Sequence, residues 1–119
     1  MNDAQYAPST HLLLDMWGAQ KLTDIEFIAH ALTQAAKECD ATILDTKFHS
    51  FGENGGVTGV AILAESHISI HTWPEINFAA IDIFMCGTCD AEKAVPSLKN
   101  ALKPTEVKIK RYKRGVKEQ

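Results

Sequence analysis

The sequence predicts an α+β fold, a two-layer sandwich in which a mainly antiparallel sheet carries two helices on one face. Three observations point there. Apolar residues recur at helical spacing in only two stretches, around residues 25–39 and 91–102, and the other apolar runs are short and rich in β-branched residues. Residues 52–56, Gly-Glu-Asn-Gly-Gly, separate two such runs by a turn, which implies a hairpin and an antiparallel pair. The run His67-Ile68-Ser69-Ile70-His71 alternates strictly, so it places His67, Ser69 and His71 on one face of a strand and both isoleucines on the other.

Each element has its own local cause. Residues 11–17, His-Leu-Leu-Leu-Asp-Met-Trp, read as a buried strand closed by Gly18. Thr23-Asp24-Ile25-Glu26 has the form of a capping box, with Thr23 facing the amide of Glu26, so a helix is expected to begin there. Its apolar stripe is Ile28, Leu32, Ala35 and Cys39, flanked by Ala31 and Ala36. Residues 41–50 form a strand that turns at 52–56 into a second, 57–65. The strand 67–71 follows and is interrupted at Trp73-Pro74, and residues 79–85 make another, ending at Cys86-Gly87. Asp90 is a natural cap for a second helix through Leu102, with Pro96 placed to kink it or delay its start. The order expected is strand, helix, two or three strands, helix, strand, as one domain spanning 1–119.

The chain of 119 residues suffices for one core and is short for two. Its net charge of −3 is uneven: residues 1–104 hold 13 acidic and 6 basic side chains, residues 105–119 hold 2 and 6. In the basic segment Val107 and Ile109 alternate with Lys108, Lys110 and Tyr112, the pattern of an amphipathic edge strand, and nucleic-acid binding is not expected. The longest strongly apolar run, 57–64, is far below the ~20 residues that span a bilayer, and the N-terminus shows no basic-then-apolar leader pattern. A soluble, cytoplasmic protein without membrane contact is expected. Cys39, Cys86 and Cys89 make an odd set of thiols, which argues against structural disulfides. A sheet with helices on one face leaves the other face needing cover, and a second copy of the chain is the simplest cover, so a homodimer or larger homo-oligomer is expected.

The chemistry concentrates in residues 63–75, where Glu65-Ser66, two histidines and Glu75 crowd together. Ser66 follows a carboxylate and lacks the Gly-x-Ser-x-Gly elbow, so it does not read as a hydrolase nucleophile. It stands where a buried strand ends and the chain must bend. A serine at such a strained corner can attack the carbonyl before it, here that of Glu65, in an N-to-O acyl shift. Removal of the Ser66 α-proton then expels the ester and leaves dehydroalanine, which hydrolyses to a pyruvoyl group. That group can form a Schiff base with an amine and accept electrons from a breaking bond, as pyridoxal phosphate does.

Residues 65–75, followed by Ala79-Ala80-Ile81-Asp82-Ile83-Phe84-Met85-Cys86-Gly87, closely resemble the small prokaryotic S-adenosylmethionine decarboxylases, which are self-processing pyruvoyl enzymes. The likeness runs from His11 through Phe48-His49-Ser50-Phe51 to Arg114-Gly115. It implies a pyruvoyl cofactor made from Ser66 by cleavage between 65 and 66, with Glu65 ending the first fragment. It further implies that His71 assists processing as a base, that Cys86 returns a proton to Cα after carbon dioxide leaves, and that Thr58 takes the place of a hydroxyl, usually serine, which bonds the reacting carbonyl. Phe51 resembles a ring stacked on adenine, and Glu75 a carboxylate bonded to the ribose hydroxyls. Without the resemblance, His71 reads as a structural hydrogen-bonder, Cys86 and Phe51 as core, and Glu75 as a solvated carboxylate.

The implied reaction is decarboxylation of S-adenosylmethionine to the aminopropyl donor for spermidine synthesis. Some relatives act on arginine or ornithine, and two departures here, Ser9-Thr10-His11 in place of Gly-Arg-His and a 52–56 loop one residue longer, keep those substrates open. Two readings from other classes stand beside it. Cys86-Gly87-Thr88-Cys89 is a C-x-x-C, the spacing of a thioredoxin-like redox pair, though no tryptophan precedes it. His67-x-x-x-His71 with a carboxylate is a metal-ligand spacing on a helix, whereas the alternating isoleucines make this segment a strand, and no metal is expected.

Overall fold

The computed structural model describes residues 9–117. The reading of residues 1–8 as lacking a leader pattern lies outside them. The strands are β1 (Ser9–Trp17), β2 (Ile43–Ser50), β3 (Val57–Leu63), β4 (Ser66–Trp73), β5 (Phe78–Met85) and β6 (Glu106–Arg114), and the helices are α1 (Ile25–Glu38) and α2 (Ala94–Leu102). They form one six-stranded sheet in the order β2-β3-β4-β5-β1-β6, with every neighbouring pair antiparallel. The α+β sandwich expected from the sequence is the fold observed. Each of the four segments read as extended, 41–50, 57–65, 67–71 and 79–85, forms its own strand, so four strands lie between the helices where the expected order had two or three.

Alternation decides which residues meet the helices. Leu12, Leu14 and Met16 of β1 lie beside Ile83, Ile81 and Ala79 of β5, and these beside Ile68, Ile70 and Thr72 of β4. All of them are buried, beneath Ile28, Leu32, Ala35 and Ala36 of α1 and Leu98 and Leu102 of α2. Phe48 of β2 pairs with Gly59 of β3, and its ring fills the space where any Cβ at residue 59 would stand. Strand β6 is an edge, with Val107 and Ile109 turned to the core and lysines between them, which discourages further strand addition.

One helix start differs from the sequence reading, and the other takes the delayed start that Pro96 left open. Asp24, not Thr23, caps α1, its carboxylate accepting from the Phe27 amide at 3.0 Å. Both residues suit a cap, and the charged acceptor prevails at the positive end of the helix. Asp90 does cap a turn, accepting from the Glu92 amide at 3.1 Å, but that turn is a 3-10 segment, Ala91–Lys93. The helix proper begins at Ala94, so Pro96 falls in its first turn, where the missing N–H is not needed.

Thr72 is the one buried polar side chain among the described residues, and it breaks an otherwise apolar row. Its hydroxyl donates to the Leu22 carbonyl at 2.8 Å and accepts from the Val57 amide at 2.8 Å, tying the β1–α1 connection and the start of β3 to β4. Thr72→Val keeps the shape but orphans both backbone groups, and is expected to cost about 2–4 kcal/mol in urea unfolding. A loss below about 0.5 kcal/mol would show that neither bond is needed.

Candidate active site

Strands β3 and β4 are joined by only two residues, Ala64 and Glu65, and Leu63 pairs directly with Ser66. Two-residue hairpin loops ordinarily take positive φ inside the loop. Here Ser66, one position later, carries it, at +150°. An L residue held at such φ stores about 1–3 kcal/mol of backbone strain. The bend expected at Ser66 is therefore present and strained.

The corner is fixed from two sides. On the side of the α1–β2 connection, the Thr42 carbonyl accepts from the Ala64 amide at 2.9 Å, and the Thr42 amide donates to the Glu65 carboxylate, Oε1, at 2.9 Å. On the other side the Cys86 amide donates to the Glu65 carbonyl at 3.1 Å. The carbonyl that a Ser66 hydroxyl would attack is thus already polarised by a backbone N–H. Cys86 follows the last residue of β5, is exposed, and by alternation falls on the sheet face away from the helices.

Phe51, Thr58, His71 and Glu75 come together at the opposite end of the strands, lining one cleft of about 440 Å³. Thr58 and His71 are cross-strand partners, with Oγ1 and Nδ1 3.1 Å apart. Phe51 stands at the start of the β2–β3 turn, 64% exposed, its ring edge-on to His49 at 4.5 Å between centroids. Its amide closes the turn by donating to Gly56 at 2.9 Å. Glu75 lies in the 3-10 turn Pro74–Ile76 that ends β4. A larger cleft of about 660 Å³ lies between α1 and α2 and contains none of these residues.

The chain therefore carries the candidate site residues as two clusters. Glu65, Ser66 and Cys86 stand at one end of the strands. Thr58, His71, Phe51 and Glu75 stand at the other, five residues along β4 from Ser66, or about 16 Å. His71 does not reach Ser66 within the chain, and Thr58 bonds His71 rather than the Glu65 carbonyl. His67 and His71, four residues apart on β4, are separated by about 13 Å, too far to share an ion, and no metal-binding group of three side chains exists among the described residues. No described helix is long and apolar enough to cross a membrane.

A family model described as S-adenosylmethionine decarboxylase matches residues 10–115. The chain belongs to that family. The S-adenosylmethionine decarboxylase proenzyme of Methanococcus vannielii is 47% identical over 109 residues, 89% of this chain and 88% of that one. The protein of the same name from Thermomicrobium roseum is 36% identical, over 89% of this chain and 92% of its own. The crystal structure of the adenosylmethionine decarboxylase from Aquifex aeolicus superposes with a TM-score of 0.81 at 34% identity, covering 95% of both chains. The antiparallel sheet of this chain has no parallel βαβ unit among the described residues, so Cys86 and Cys89 do not sit in a thioredoxin-like frame.

Three contributors to the candidate site escaped the sequence reading. Thr72 lines the cleft beside His71, and a threonine in the row Ile68, Ile70, Thr72 was the visible signal. The Cys86 and Thr42 amides, being backbone, left no signal in residue type.

Proposed function

We propose that the chain is the proenzyme of an S-adenosylmethionine decarboxylase that cleaves itself between Glu65 and Ser66. The observation that carries this is the strained Ser66 backbone with the preceding carbonyl held by the Cys86 amide, in a chain of this family. The hydroxyl of Ser66 attacks the Glu65 carbonyl, and the Cys86 N–H stabilises the developing oxyanion. The shift to an ester releases the peptide bond from its unfavourable φ.

We infer further that the active form is a two-fold homodimer packed through the open sheet faces. That face presents Trp17, Phe78 and Trp73 in a row, with centroids 5.5 and 5.4 Å apart, and Trp73 and Ile62 are 41% and 40% exposed. If the axis runs across the strands, the Ser66 end of one copy lies against the His71 end of its partner, and the two clusters complete each other twice. His71, donating Nδ1–H to Thr58, would keep Nε2 free as the base for the Ser66 α-proton. The tight corner and the flanking Cys86 suit a pyruvoyl group at position 66, whose chemistry is an electrophilic carbonyl that captures an amine and accepts the electron pair freed as carbon dioxide leaves. In the proposed site, the Cys86 thiol delivers a proton to Cα. Phe51 stacks on adenine and faces the sulfonium, and Glu75 accepts from the ribose hydroxyls. The product is the aminopropyl donor for spermidine synthesis.

The test is carbon dioxide release from S-adenosylmethionine, arginine and ornithine side by side. Release from S-adenosylmethionine alone is expected, and release only from an amino acid lacking the nucleoside would overturn the assignment. The two roles of residue 86 separate cleanly. Cys86→Ala keeps the amide, so fragments 1–65 and 66–119 still form, while turnover falls about 10²- to 10⁴-fold. Loss of cleavage in this variant would place the processing role in the thiol instead.

A further inference from the structure

Cys89 is left unused by the proposed reaction, yet it is tied to the residue that the reaction needs. Residues 86–89 form a hydrogen-bonded turn in which the Cys89 amide donates to the Cys86 carbonyl at 3.2 Å, with Gly87 at φ +40°. The ends of such a turn lie within about 7 Å at Cα, and disulfides span about 4.4–6.8 Å. Cys86 is exposed and Cys89 half-buried. The turn that closes β5 thus sets the Cα atoms of the two cysteines near the span that a disulfide bridges, one side chain exposed and one sheltered; the Cys89 thiol donates to the Asp40 carbonyl at 3.8 Å and has to turn from it to form the bond.

We propose that Cys86 and Cys89 are an oxidative modification site: hydrogen peroxide converts them to a reversible disulfide that removes the Cys86 thiol from the decarboxylation. Formation of the bond stands on this geometry, while its effect on turnover rests on the reading of Cys86 as proton donor. The Cys86 sulfur attacks one oxygen of peroxide, the O–O bond breaks, and water leaves, giving the sulfenic acid. The Cys89 sulfur then attacks the Cys86 sulfur, the S–S bond forms, the S–O bond breaks and a second water leaves. Two thiols are oxidised by two electrons and one peroxide is reduced to two waters.

The surroundings assign the order of events. Burial, followed by the charges of Glu65 and Cys86, raises the Cys89 thiol above its ordinary pKa, which suits a resolving thiol rather than the first to react. Cys39, the remaining thiol, is fully buried in the core and pushed up to about 11, chiefly by desolvation, so it stays out of the exchange. An active site that admits a substrate amine at Cys86 admits peroxide as well.

The experiment treats the processed enzyme with hydrogen peroxide, maps disulfides by peptide mass, and follows carbon dioxide release before and after dithiothreitol. A Cys86–Cys89 link is expected, with turnover reduced at least tenfold and restored by the reductant. Cys89→Ser and Cys89→Ala should keep basal turnover, form no link, and pass to sulfinic acid at Cys86 with inactivation that dithiothreitol does not reverse. Oxidation without that link, or a link from Cys89 to Cys39, overturns the proposal and leaves Cys86 as proton donor untouched. A complete link with undiminished turnover overturns the switch and the proton-donor role together.

Discussion

Ser66→Ala should run as one uncleaved chain of 119 residues and release no carbon dioxide from any of the three substrates, whereas the native chain is expected to give fragments 1–65 and 66–119. The second native fragment should resist Edman sequencing, because a pyruvoyl terminus carries no amine. The hydroxyl is the only nucleophile adjacent to the Glu65 carbonyl in this chemistry, so its loss removes cofactor and activity together. Strain supplies a companion measurement. Ser66→Gly also lacks the hydroxyl but accepts φ of +150° without penalty, so it should resist urea better than Ser66→Ala by about 1 kcal/mol. Equal stability of the two uncleaved variants would mean that the corner stores no strain, and cleavage of either would place the nucleophile elsewhere.

Mixing two inactive variants should restore activity. His71→Ala damages the cluster at one end of the strands and Cys86→Ala the cluster at the other, and in a homodimer of either, both composite sites contain a defect. In a mixed dimer one site collects both defects and the other is intact. Random co-assembly makes half the dimers mixed, so about a quarter of native turnover is expected after co-expression. No recovery would mean that each site is built within one chain, against the separation of about 16 Å along β4. The readout also distinguishes assembly from chemistry, since simple stabilisation by a partner would rescue each variant mixed with any inactive copy.

The sheet was legible in the sequence because alternation is a local property. Ile68 and Ile70 against His67, Ser69 and His71 stated both the strand and its two faces, and the helix stripe from Ile28 to Cys39 is the buried stripe observed. The helix starts were less so, because Thr23 and Asp24 compete for one cap and the choice turns on a single hydrogen bond. Among the site residues, the resemblance named the types, and the structure brought four of them into one cleft. What residue order could not convey is distance. Ser66 and His71 are neighbours in sequence, but an extended strand converts five residues into a separation no proton can cross. Backbone donors such as the Cys86 amide are likewise invisible to a reading by side-chain type.

Cutting at residue 65 has a consequence for how the protein holds together. Fragment 1–65 would own β1, β2, β3 and α1, and fragment 66–119 would own β4, β5, β6 and α2. In the sheet order β2-β3-β4-β5-β1-β6, however, β1 lies between β5 and β6. The first strand of one fragment is therefore clasped by two strands of the other, and β3 is zipped to β4 beside it. Separation would have to break three ladders at once. A molecule cut there would be in effect a woven pair of peptides, in which chain scission changes the covalent connectivity and leaves the architecture in place.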